Sequence, residues 1–117
     1  MTGTQAPHTA ATPSIVPSAV AWIGELRATV ATSSRTGRIS TCQFNRGWLR
    51  EPAYLAHVAR LIGDRGRVVI LGPSELRVAL EREYLSLFKR PDRLVDVEPA
   101  ALLATDELVE RVRTLSA

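Results

Sequence analysis

Cysteine is almost missing from this chain: Cys42 is the single one among 117 residues. A lone thiol closes no internal disulfide, so the chain is expected to be cytoplasmic and not a disulfide-framed secreted scaffold. Long apolar runs are missing too, and none approaches the roughly 20 residues that a membrane-spanning helix needs. The opening MTGTQAPHTAATPS has no basic cluster followed by an apolar stretch, and is not expected to act as a secretory signal. His8 and His57 have no second His or Cys at ligand spacing, so no metal site is expected. The glycine spacing and Lys-Ser/Thr pair of a phosphate loop are absent, as is the G-x-S-x-G of a nucleophile elbow, and nothing in the sequence calls for a cofactor. There is no internal repeat. Lysine is nearly lacking: fourteen of the fifteen basic residues are arginine, as a GC-rich genome would produce.

What is present reads as one domain behind a tail. Residues 1–17 are rich in Thr, Ala, Pro and Ser and lack helical periodicity, which predicts a disordered segment. Residues 18–117 carry the domain. SAVAWI alternates as a strand, Gly24 and Glu25 turn the chain, and residues 28–32 return as a second strand. RISTCQF follows as a third, with Ser40, Cys42 and Phe44 on one face and Ile39, Thr41 and Gln43 on the other. The period then changes. EPAYLAHVARLIG places Pro52 at the first position of a helix, Gly63 just past its end, and Leu55, Val58, Ala59 and Ile62 on one stripe. RVVIL is apolar on both faces, as a covered central strand should be. SELRVALEREYLSLF predicts a second helix with Ser74 as its cap and Leu76, Leu80, Tyr84, Leu87 and Phe88 along one side. RLVDVEP is a short strand, and TDELVERVRTL a third helix capped by Thr105. The order β-β-β-α-β-α-β-α predicts an α/β fold, a single-domain layered sandwich on a mixed sheet.

Candidate sites are few. The GPSE turn presents backbone N–H groups at a helix start, but Ser74 fits a cap better than a nucleophile. His57 would act as a base only if a carboxylate and a nucleophile converged on it. Asp96 and Glu98 share a face of the last strand and are a possible carboxylate pair. No convergent acid, base and nucleophile is visible, and no enzymatic activity is expected. NRGWLREP offers more for binding: Arg46, Trp48 and Arg50 alternate around Gly47 in a connection between strand and helix. Trp can stack and Arg can pair with phosphate or carboxylate; alternatively, Trp48 folds down as a lid on the core. Lys89, Arg90 and Arg93 form a second basic cluster. Charge is uneven along the chain. From Glu25 to Arg67 eight arginines face three acids, whereas from Val68 onward seven basic residues face nine acidic ones. A basic first half can attract an acidic partner, RNA included.

Five stretches, AVAWIGELRATV, YLAHVARLIG, RVVILGPSELRVALEREYL, RLVDVEPA and TDELVERVR, together resemble small bacterial proteins similar to the third domain of the archaeal and eukaryotic class-one peptide release factor and of its relative Pelota. Bacterial members of this group are often described as translational machinery components. The resemblance runs from about Ser18 to the end. It implies an α/β sandwich that recruits partner proteins, chiefly a translational GTPase, and does no chemistry. The Gly-Gly-Gln loop that catalyses peptide release belongs to another domain of those factors, and this chain has no Gly-Gly-Gln. Several relatives have Asp directly after the Trp-aliphatic pair, where this chain has Gly24. The expectation is therefore a non-catalytic cytoplasmic binding module associated with ribosomes or translation factors. An RNA-binding domain using the Arg-rich first half is the alternative, and a small hydrolase a more distant one.

Overall fold

Strand RVVILG has no polar face, and a layer of helix lies over each of its two sides. The computed structural model describes residues 15–117. His8 and residues 1–14 of the expected tail lie outside the described residues. Ile15, Val16 and Pro17 run against the domain: the Val16 N–H donates to the Ser116 carbonyl at 3.0 Å, and the Pro17 carbonyl accepts from the Gly66 N–H at 2.7 Å.

The elements are β1 (Ser18–Ile23), β2 (Arg27–Ser33), β3 (Ile39–Asn45), α1 (Glu51–Ile62), β4 (Arg67–Gly72), α2 (Leu76–Phe88), a 3-10 turn (Pro91–Arg93), β5 (Leu94–Pro99) and α3 (Thr105–Ser116). They form one five-stranded sheet in the order β3-β2-β1-β4-β5. β1, β2 and β3 pair antiparallel, while β1 with β4 and β4 with β5 pair parallel. The predicted α/β sandwich on a mixed sheet is the observed architecture.

The two-residue period of the strands divides the core in two. Ala19, Ala21, Ile23, Ala28, Val30, Val68 and Ile70 face α1 and α2, where they meet Tyr54, Val58, Ile62, Leu80 and Tyr84. Val20, Trp22, Ala31, Val69 and Leu71 face α3, where they meet Leu108 and Val112. Phe44 joins the first layer and Ile39 the second, as the alternation of the third strand predicts. β5 keeps pace with β4 only through a register shift between Val68 and Val69, which leaves Val95 half-exposed and turns Asp96 and Glu98 to the α3 side. At the end of β4 the backbone comes very near β1: a Cβ on Gly72 would lie 2.5 Å from the Ile23 carbonyl oxygen, so no larger residue fits there undisturbed.

Helix ends match the expectations in part. Glu51, not Pro52, is the first residue of α1; Pro52 is the second, where its missing N–H still costs no helical bond, and Gly63, at φ 73°, closes the helix with an N–H bond to the Ala59 carbonyl. The Ser74 hydroxyl accepts from the Leu76 N–H at 3.3 Å, and Glu75 already has helical angles, so α2 opens through a tight turn with a long cap bond. Thr105 does not cap α3. Ala104 holds the cap position, with extended angles, and Thr105 is the first helical residue. The Glu107 carboxylate accepts from the Ala104 N–H at 3.0 Å, a reach-back from the third helical position that ties down the start without a hydroxyl. On α2, Leu87 falls outside the expected stripe and is partly exposed.

Candidate binding surface

β1, β3, β4 and β5 all point the same way, so their C-terminal ends meet at one end of the sheet. Four connections cluster there: the β1–β2 hairpin (residues 24–26), the β3–α1 link (46–50), the β4–α2 turn (73–75) and the β5–α3 link (100–104). In open α/β sheets the C-terminal ends of the strands are where ligands and partners bind. The chain leaves β1 toward β2 on one side and leaves β4 toward β5 on the other, so the direction of winding changes between these two central strands.

Three of the connections carry exposed apolar side chains. Trp48 is 103 % exposed, Leu26 81 % and Leu102 57 %, with Leu49 partly exposed beside Trp48. Of the large hydrophobics left exposed, only Leu87 and Val95 lie elsewhere in the described structure. Five strands at about 4.8 Å spacing make this rim about 19 Å wide from the β3 edge to the β5 edge. At the same end, between the starts of α1 and α2, lies a hollow of about 480 Å³ bordered by Glu25, Glu51, Glu75 and Arg82, with Ser74 in its wall.

The loop that carries Trp48 is fixed by its neighbours. Gly47 takes the left-handed angle φ 57° that a side chain would disfavour. The Arg46 N–H donates to the Leu26 carbonyl, and its guanidinium donates to the Leu49 carbonyl at 3.0 Å and the Glu25 carbonyl at 3.3 Å. That guanidinium also lies 5.2 Å from the centre of the Tyr54 ring. Tyr54, fully buried, donates its hydroxyl to the Gly24 carbonyl at 2.7 Å. Burial pushes the Tyr54 phenol up to about 12, against the opposing pull of Arg46. Trp22 secures the other side of the rim: its indole N–H donates to the Ala101 carbonyl at 3.0 Å, and its ring lies where a Cβ on Gly24 would need to be.

The expected triplet is thus divided. Trp48 is no lid on the core, and Arg50 is exposed beside it just ahead of α1. Arg46 is half-buried and staples the hairpin to the β3–α1 link. Sequence spacing does not group Leu26, Leu49 and Leu102 with Trp48; the isolated leucine in the turn GEL is the one signal it holds. The remaining candidates have structural duties. His57 stacks on Phe44 with ring centres 3.8 Å apart. Glu98 pairs with Arg111 at 3.0 Å, and the Asp96 carboxylate accepts from the Val97 N–H. Cys42 is exposed on the edge strand β3. Among the described residues, no cluster of His, Cys, Asp and Glu is arranged to hold a metal ion, and no helix is long and apolar enough to cross a membrane.

The architecture defines the class: a mixed five-stranded sheet between helix layers, with a rim of loops at the strand ends. Solved structures of this class include Pelota from Thermoplasma acidophilum, 17 % identical with a TM-score of 0.62, over 97 % of this chain and 39 % of that one. Pelota from Archaeoglobus fulgidus is 12 % identical with a TM-score of 0.60, over 93 % of this chain and 34 % of that one. The chain therefore has a Pelota-like fold, and it spans little more than a third of the length of these proteins. No protein-family model and no curated protein sequence matches it.

Proposed function

We propose that this chain is a non-catalytic binding module of the translation machinery, corresponding to the third domain of Pelota and the class-one release factor in a bacterial, cytoplasmic setting. It docks a protein partner on the rim at the strand ends. One observation carries the reading: a fully exposed tryptophan, braced from below by Arg46 and Tyr54, shares one end of the sheet with exposed Leu26, Leu49 and Leu102. Large aromatic anchors on a rigid base concentrate binding energy, because little ordering is left to be done on association. Arg50 and the glutamates of the hollow supply the polar surround. The Pelota-like fold supports the translation context, and the Archaeoglobus fulgidus protein has inter-domain structural plasticity, in keeping with parts that act as units. The absence of chemistry is supported by the occupations of Ser74, Glu98 and His57 as cap, ion pair and ring stack.

Co-sedimentation of the purified protein with bacterial ribosomes and their bound factors tests this, at about 0.3 M KCl so that contacts to RNA phosphates contribute little. A Leu26→Ser/Trp48→Ala/Leu102→Ser variant is expected to melt within a few degrees of the parent, since exposed substitutions change stability by about 0.5 kcal/mol or less. Its binding is expected to fall about 30-fold, equivalent to about 2 kcal/mol. Full co-sedimentation of the folded variant would remove the rim as the docking surface.

A further inference from the structure

The other end of the sheet has the opposite character. There the β2–β3 hairpin (residues 34–38), the α1–β4 link (63–66) and the α2–β5 link (89–93) meet. These connections and the residues flanking them hold Arg35, Arg38, Arg60, Arg65, Arg67, Lys89, Arg90 and Arg93 against two acids, Asp64 and Asp92. More than half of the basic residues of the chain therefore gather at one pole. They come from both halves of the sequence, because the chain returns to this pole at the end of every helix.

Three of these guanidinium groups border one hollow. It encloses about 500 Å³ between Arg35, Arg65 and Arg93, with Ser34, Asp64 and Gly66 in its wall. The groups are held in different degrees. Arg65 donates from Nε to the Ile62 carbonyl at 3.0 Å and from Nη1 to the Ser33 carbonyl at 3.2 Å. Arg93 uses Nη1 for the Asp64 carboxylate and the Arg65 carbonyl. Among the described residues Nη2 of Arg65, Nε and Nη2 of Arg93, and the whole Arg35 fork have no protein acceptor. Asp64 neutralises one of three cations and leaves a net positive hollow with unspent, partly fixed donors. That is the chemistry that binds a phosphate group.

Helix dipoles explain part of this charge. All three helices end at this pole, and cations are favoured near helix C-termini. Arg60, in the last turn of α1, and Arg65, bonded to the Ile62 carbonyl, fit that account. Arg35 and Arg38 do not, because they stand on a β-hairpin whose backbone is already closed by the Ser34–Arg38 and Gly37–Ser34 bonds. Arg93 does not either, since it closes the 3-10 turn ahead of β5, five residues past the end of α2. We infer that this pole binds the phosphodiester backbone of RNA, with the Arg35–Arg65–Arg93 hollow seating one phosphate and Arg38, Lys89 and Arg90 flanking it. No exposed aromatic side chain stands among these connections, so bases are not stacked and binding is independent of sequence. This surface is separate from the docking rim and does not rest on it.

The test is fluorescence anisotropy of a labelled oligouridylate against the full chain in rising KCl. With about four phosphate contacts, affinity is expected to fall roughly 50-fold between about 50 and 200 mM salt. Arg35→Glu/Arg38→Glu is expected to bind at least tenfold more weakly, with a salt slope shallower by about 1.4. Lys89→Glu/Arg90→Glu, on a different element, should act in the same direction, and serves if the first variant fails to fold. The Leu26/Trp48/Leu102 rim variant should bind RNA like the parent. No salt-dependent binding by the parent overturns the inference, as does unchanged binding by both folded charge-reversal variants. Loss of RNA binding in the rim variant alone would move the site to the other end. Binding of a phosphoserine peptide without binding of oligouridylate would show the phosphate source to be protein and overturn the RNA assignment.

Discussion

Tyr54 shows how one residue can serve core and surface together. Its ring is buried in the layer under α1 and α2, and its hydroxyl holds the carbonyl of Gly24, at the foot of the hairpin that carries Leu26. Burial disfavours the phenolate and raises the folded-state value to about 12, from about 10 in an unfolded chain. Between these values the folded form binds the proton that the unfolded form has lost. The contribution is therefore complete below about pH 10 and disappears as pH rises toward 12, a loss of about 2–3 kcal/mol. Tyr84 is raised for the same reason, burial being the largest cause, and adds to the same alkaline limb. Tyr54→Phe is expected to cost about 1 kcal/mol at neutral pH through the lost hydrogen bond. It should also flatten the fall in stability above pH 10, as measured by urea unfolding across that range. An alkaline limb identical to that of the parent would show that the phenol ionises freely in the folded protein.

At the scale of elements, β4 is central by sequence pattern and by position, but its two faces are unequally covered. Ile70 lies under α1 and α2. Val69 faces α3, beside a groove of about 440 Å³ that runs between β5 and α3. Ile70→Ala is expected to cost about 2–5 kcal/mol in chemical denaturation, since surrounding helices cannot collapse into the space. Val69→Ala should cost clearly less, because fewer atoms are removed and the groove already admits solvent nearby. Equal losses would mean that the groove is closed in solution. The period of apolar residues makes this layering readable in the sequence: period two for the strands, stripes at three and four for the helices. Caps were less readable. Thr105 is a good cap residue by type, but the extended angles fall on Ala104, and a glutamate three residues on does the work.

At the scale of the whole molecule, the N-terminal boundary can be tested directly. Removing residues 1–14 is expected to leave the melting temperature unchanged. Removing residues 1–17 should lower it by several degrees, through loss of the Val16 bond to Ser116 and the Pro17 bond to Gly66. Differential scanning calorimetry of the two truncations separates the cases, and equal melting temperatures would return the boundary to Ser18. The binding surface was only partly legible. Arg46-Trp48-Arg50 spacing marks a loop of interest, but spacing does not say that Arg46 turns inward to two carbonyls while Trp48 turns out. Leu26 and Leu102 join Trp48 only because parallel strands bring distant connections to one end. For the same reason the basic first half is not one face: Arg27, Arg46 and Arg50 go to the rim, whereas Arg35, Arg38, Arg60, Arg65 and Arg67 go to the opposite pole.

The separation of charge between the two ends has a consequence for encounter. Glu51, Glu75, Asp106 and Glu107 crowd the helix starts at the rim, and the arginines crowd the helix ends opposite. Such a body has a permanent dipole moment, and near a polyanion it rotates before it touches. With the arginine pole as the proposed RNA-binding surface, it would arrive that end first and be held with Trp48 facing outward, away from the RNA. Orientation of this kind lets a small protein act as a coupler: one end reads the charge of a large particle, and the other is offered to whatever comes next.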